Sequence, residues 1–212
     1  MADDATYRNT AACGIRRHTG AAEARLRIIG VDPGSYGAIA LLVDGRLETV
    51  VDMPFFLLQS GKTDKAEVDG YTLAEILREM RGDIGFVEKV GGMEGQAAGA
   101  AFNFGRAAGA PEYIMKALGV RVERVSPVVW KRALKIRGGK DASREAAMRH
   151  WPTLSALFKR KIDEDRAEAA LIAEWGRIHS NINGEQNERS HPDAAGRGSG
   201  SLLREHQTGI FE

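Results

Sequence analysis

Regular patterning begins near residue 26. Residues 26–31 form a β-like apolar run, 36–43 a second and 46–53 a third. Asp44-Gly45 stands between the last two as a tight-turn signal. Three consecutive runs with short connections predict an antiparallel meander. A polar loop follows. Residues 71–81 then change to helical spacing, with Thr72 a candidate N-cap and Glu75 three positions on. Residues 84–90, IGFVEKV, return to a strand-like run. The Gly-rich GGMEGQAAG leads into Ala/Phe-rich sequence that reads as helix to about Leu118, where Gly119 stops it. A short strand over 120–125 comes next. Helices are expected over 127–134, with Pro at the first turn, over 141–150 and over 163–178. Strands first, then helices and strands in alternation, predict an α/β layered fold on a mixed sheet.

Periodicity is absent from residues 1–25. From about residue 181 the chain is rich in Gly, Ser and charge. These ends read as a flexible N-terminal arm (1–25) and C-terminal tail (181–212) around one domain, 26–180. A length of 212 residues with 43% hydrophobic content suffices for one substantial core. No apolar run reaches the ~18 residues of a membrane span. The Arg16-Arg17 pair is followed by no apolar segment of secretory type. The single cysteine, Cys13, excludes an internal disulfide and suits a reducing, cytoplasmic setting.

The candidate chemistry is carboxylate chemistry. Asp32 ends the first apolar run, followed by Pro33 and Gly34. Glu88 lies in the fourth run among Phe86, Val87 and Val90. Charges in such positions are costly unless something pairs with them. Asp163, Glu164 and Asp165 open the last helix, where acids suit the macrodipole and Asp163 suits the N-cap. Neither effect accounts for Glu168, three residues beyond Asp165 and on the same helix face. Should the first and fourth strands be neighbours, Asp32 and Glu88 meet, and the last helix brings Asp165 and Glu168 alongside. Such an all-oxygen donor set suits Mg²⁺ or Mn²⁺. Two such ions about 3.5–4 Å apart serve phosphodiester hydrolysis.

The stretches GVDPGSYGAIAL, FVEKV, FNFGRAAG, SPVVWKRAL, GKDASRE and DRAEAALIAEWG, in this order, resemble the RuvC-type Holliday junction resolvases, especially phage-encoded ones. The resemblance spans about residues 27–176. It implies an RNase H-like three-layer fold, with a mixed five-stranded sheet and helices on both faces. It further implies metal-binding, catalytic roles for Asp32, Glu88, Asp165 and Glu168. The last pair is Asp-x-x-Glu where well-known members have Asp-x-x-Asp, and Asp163 competes with Asp165 for the third position. The implied activity is symmetric, two-metal cleavage of four-way DNA that leaves 5′-phosphate ends, in a bacterial host cell. No small-molecule cofactor is expected.

Net charge over the whole chain is only +1. Residues 121–161 nevertheless hold twelve Lys/Arg against three Asp/Glu, a net +9. That is the footprint of phosphate binding. The resemblance places Lys131 and Lys140 near the scissile phosphate. Arg132, Arg137 and Arg144 are expected as further phosphate contacts. The resemblance also implies that the Gly-rich loop probes the junction centre, with Met93 as the candidate side chain. Small residues through 97–118 point, with the resemblance, to a homodimer across that helix, which would match a junction's two opposed strands. Neither the tryptophans nor the histidines show spacing that assigns them a role. Other readings remain at this point: an RNase H-like nuclease for other branched DNA or RNA, a silent junction-binding protein, or an actin-like or sugar-kinase ATPase, whose first phosphate loop GVDPGSYGAIAL also resembles.

Overall fold

The computed structural model describes residues 25–60, 63–92, 95–139 and 141–183. Met93, Lys140, the tail beyond residue 183 and all of the arm but its last residue lie outside them.

The expected meander is present: β1 (Arg27–Asp32), β2 (Ala38–Val43) and β3 (Arg46–Asp52) are antiparallel neighbours. Asp44 and Gly45 turn β2 into β3 with φ of 51° and 78°, the positive pair that a two-residue hairpin turn requires. On the other side of β1, β6 (Ile84–Glu88) and then β7 (Arg121–Val125) join in parallel, for the order β3-β2-β1-β6-β7. Two helices lie in the crossovers, α1 (Gly70–Met80) before β6 and α2 (Ala98–Ala117) before β7, and α3 (Pro127–Ala133), α4 (Ala142–His150) and α5 (Glu164–Asn183) follow the last strand.

The alternation of the strands sorts the core into two halves. Ile29, Val31, Ile39, Leu41, Val43 and Val87 pack with Leu73, Leu77 and Met80 of α1 and Met115 of α2. Ile28, Ala38, Ala40, Leu42 and Phe86 face the other way, onto α5 and, beyond it, Trp130 and Ala147. The result is an α/β three-layer fold with helices on both faces. Burying about 25 cal/mol per Å² of apolar surface on each face is its main driving force.

Close approach of α5 depends on Gly30. A Cβ there would lie 2.2 Å from the Ala169 carbonyl oxygen and 2.4 Å from the Ala173 nitrogen. Ala169, Ala170 and Ala173 are fully buried. The helix backbone therefore lies directly on the sheet.

Two expectations are corrected. The polar loop after β3 contains a separate hairpin, β4 (Phe55–Ser60) with β5 (Thr63–Val68), in register from Phe55↔Val68 to Ser60↔Thr63. Its first strand opens with a four-residue apolar block, Phe55 to Leu58, and its second is mostly polar, so neither alternates as a half-buried strand does. The cap of α1 is Asp69, not Thr72: its Oδ1 accepts the N–H groups of Tyr71 and Thr72, both at 3.1 Å. The Thr72 hydroxyl donates to the same carboxylate at 2.6 Å, which steadies the cap. Between α4 and α5 the chain also makes two 3-10 segments, Pro152–Phe158 and Lys161–Asp163.

Candidate active site

Period-two alternation decides where the acids go. In β1, Ile28 faces α5 and Val31 faces away, so Asp32 again faces α5. In β6, Phe86 faces α5, Val87 faces away, and Glu88 returns to the α5 side. The parallel register pairs Val31 with Val87, which sets Asp32 and Glu88 side by side at the C-terminal edge of the sheet. Open α/β sheets commonly place their ligand sites at this edge.

From the first turns of α5, Glu168 reaches the same place. Asp32, Glu88 and Glu168 each offer a carboxylate oxygen, all within 4.8 Å of one another. Asp165 joins them through a hydrogen bond with Asp32. Of the two competing acids, Asp165 is the one that lies beside Asp32. Asp163 is 1% exposed, and its Oδ2 accepts the Arg160 backbone N–H at 2.7 Å while Oδ1 takes the Arg160 guanidinium at 2.8 Å. Arg166 lies 3.7 Å away on the same carboxylate. These cations outweigh burial and hold the Asp163 carboxyl below the usual range. Asp163 is a structural acid that closes the turn before α5.

The clustered acids behave oppositely. Burial, then the charges of Asp165, Glu168 and Glu88, push the Asp32 carboxyl well above the usual range. Glu88 is raised by burial and by Glu168, against the opposing hydrogen bond from Trp130. Burial and the neighbouring acids Glu168 and Glu164 raise Asp165. An acid pair that must hold a proton to coexist has room for a cation in its place. The donors are all oxygen, as Mg²⁺ and Mn²⁺ prefer, and no imidazole or thiol takes part. Asp32, Glu88 and Glu168 therefore fit a hard divalent cation, with Asp165 beside them.

Around the acids stands a second ring of groups. Trp130 is fully buried, and its Nε1–H donates to Glu88 Oε2 at 2.7 Å. Ser143 Oγ donates to Glu168 Oε1 at 2.8 Å, and Lys131 Nζ reaches the same oxygen at 2.7 Å. Burial lowers the basicity of the Lys131 ammonium, but the bond to Glu168 and the charges of Glu88 and Asp32 outweigh it, so its pKa is raised. Trp130 and Ser143 were not legible as site residues. A signal for Trp130 existed in its place beside Lys131 in the middle of α3. Ser143 carried none, since its partner is 25 positions away.

The basic segment divides. Arg132, Lys135 and Arg137 are exposed around the end of α3 and have no salt bridge among the described residues. Arg144 is not a phosphate contact: it is 8% exposed, donates to the carbonyls of Phe158 and Lys159 at 3.3 and 2.8 Å, and pairs with Asp141. It ties α4 to the 3-10 segment after it. Lys131 faces the acids instead of the open surface.

Three layers, a β3-β2-β1-β6-β7 sheet and carboxylates at adjacent strand ends define an RNase H-like fold of RuvC type. No family model and no curated protein sequence matches the chain. Among solved structures it is similar to T. thermophilus RuvC in complex with Holliday junction substrate. That match has a TM-score of 0.51 and 20% identity, and covers 74% of this chain and 96% of that one. A second Thermus thermophilus RuvC structure matches with a TM-score of 0.46 and 18% identity, over 74% of this chain and 97% of that one.

Proposed function

We propose that the chain is a divalent-cation-dependent endonuclease that resolves four-way DNA junctions by symmetric hydrolysis, leaving 5′-phosphate and 3′-hydroxyl ends. The observation that carries this reading is the convergence of Asp32, Glu88 and Glu168 within 4.8 Å at the sheet edge. The RuvC-like fold around that cluster adds to it, since the similar structure is described with a Holliday junction bound.

Two bound divalent cations would supply an activated water and stabilisation of the leaving oxygen. The chain's own residues prepare that chemistry. Trp130 and Ser143 fix the rotamers of Glu88 and Glu168 by donating to them, as outer groups do at metal sites. Lys131 places positive charge where a phosphoryl group would gain negative charge. Arg132 and Arg137 offer cations to the flanking backbone. A homodimer across α2 would supply two sites for two strands.

The test is a synthetic mobile four-way junction with Mg²⁺. Symmetric paired nicks at the branch, with matched linear duplex left intact, are expected. Asp32→Asn should bind the junction and cut it roughly a hundredfold more slowly, or worse. ATP hydrolysis without nicking, or normal cutting by the variant, would overturn the reading.

A further inference from the structure

The acids occupy one end of a longer cleft. A cavity of about 620 Å³ extends from Asp32 and Asp165 along the turn after β1, reaching β5 on the separate hairpin and α2 beyond it. Its walls are fastened together. Ser35 Oγ donates to the Ala66 carbonyl at 3.2 Å, joining turn to hairpin. The Arg106 guanidinium pairs with Glu67 at 2.7 Å, joining hairpin to α2. The cleft is therefore already formed.

Its lining differs from that of the acid end. Tyr36 and Phe104 contribute aromatic rings, Asn103 an amide, and Lys65 the nearest cation on the hairpin. Tyr36 is 66% exposed and held edge-on by Phe55, ring centroids 5.1 Å apart. Lys65 and the open N–H groups of the first turn of α2, at Gly99 and Ala100, can hold a phosphate at one wall, but the two rings and the amide give a phosphate no partner. A nucleobase uses all of it: the π-face stacks on an aromatic ring, and its edge presents the paired donor and acceptor that an amide matches.

We propose that this cleft is a nucleotide pocket. It receives an unstacked base of the DNA strand next to the phosphate at the acids, with Tyr36 as the stacking platform and Asn103 facing the base edge. The inference rests on the nuclease reading and deepens it, because it supplies a physical origin for structure selectivity. Extracting a base from continuous duplex costs stacking and pairing energy, and that cost is least where pairing is already broken. A branch point offers such bases; a linear duplex does not.

The experiment measures binding of the full chain in EDTA, so that no cutting intervenes. The probes are a four-way junction and copies carrying one abasic nucleotide on either side of the nick position mapped in Mg²⁺. Wild type, Tyr36→Ala and Tyr36→Phe are compared. Loss of the base on one side should weaken wild-type binding by about 5- to 150-fold. Tyr36→Ala should weaken binding to the intact junction similarly, yet barely change binding to that abasic junction. Tyr36→Phe should stay near wild type. Equal binding of intact and abasic junctions, or an equal Tyr36→Ala effect on both, overturns the pocket while leaving the nuclease reading standing. Absence of junction binding or of nicking by wild type overturns both. Circular dichroism confirms folding of the variants, which change one exposed side chain.

Discussion

Asp32 sits where burial and three neighbouring acids all favour the neutral carboxyl. Glu88 and Asp165 are raised in the same direction. A carboxyl whose folded-state pKa exceeds its unfolded value stabilises the native state while protonated. That contribution is complete below the ordinary carboxylate range and is lost as pH rises through the raised values. Asp163, Asp141 and Glu112 are shifted downward, so their contribution is present above the ordinary range and is lost only in stronger acid. The metal-free protein should therefore be most stable in weak acid and lose stability toward neutral pH, with Mg²⁺ restoring it. Asp32→Asn should flatten that decline and raise the metal-free Tm at neutral pH relative to wild type. Thermal unfolding in EDTA from pH 5 to 8 checks this; identical pH profiles for variant and wild type would refute it. The types and strand-end positions of Asp32 and Glu88 made them legible in advance. Asp163 and Asp165 stayed open because their roles turn on a helix boundary, which sequence places only to within a few residues.

At the scale of elements, α5 and β1 form the joint that holds the site. Gly30 lets the helix lie on the strand, and the same helix carries Asp165 and Glu168. Gly30→Ala would direct a methyl group into the Ala169 carbonyl and the Ala173 nitrogen, both backbone atoms without rotamer freedom. Such overpacking should destabilise the fold by about 1–3 kcal/mol or more. The expected result is a lower urea midpoint with unchanged slope, accompanied by weaker Mn²⁺ binding as the helix acids move. An unchanged midpoint would show that the helix can retreat freely. The meander, α1 and α5 were all legible, because each buries one face and so displays its period. The β4–β5 hairpin was not: Phe55, Phe56, Leu57 and Leu58 are each at least 41% exposed, so no core imposes alternation on them.

Over the whole molecule, a formal charge of +1 conceals its distribution. Many cations of the basic segment are engaged in pairs: Arg121 with Glu123, Arg124 with Glu112, Arg149 with Glu145, Arg160 with Asp163. Among the described residues, the exposed cations of this segment outside salt bridges are Arg132, Lys135 and Arg137 around the end of α3, with Lys159 and Lys161 before α5. On α2, Phe102 and Tyr113 are 67% and 65% exposed, and no side chain meets a Cβ built at Gly99 or Gly105. The proposed homodimer would use that surface. Sedimentation equilibrium is expected to give twice the 23.0 kDa chain mass, and Phe102→Glu to return it to a single chain. A monomeric wild type would remove the dimer from the proposal. No helix among the described residues is long and apolar enough to cross a membrane.

Taken alone, the sequence determined the elements that bury a face and marked Asp32, Glu88 and Glu168 as candidate acids. Those properties are local, resting on period, residue type and distance from a strand end. Tertiary structure decided which acid of the pair near residue 164 joins the site. It withdrew Arg144 from the surface and recruited Trp130 and Ser143 as donors to acids 42 and 25 positions away. It also set the hairpin against α2 to form the cleft. A hydrogen-bond partner or a cavity wall is a relation between distant segments, and only the packing of those segments creates it.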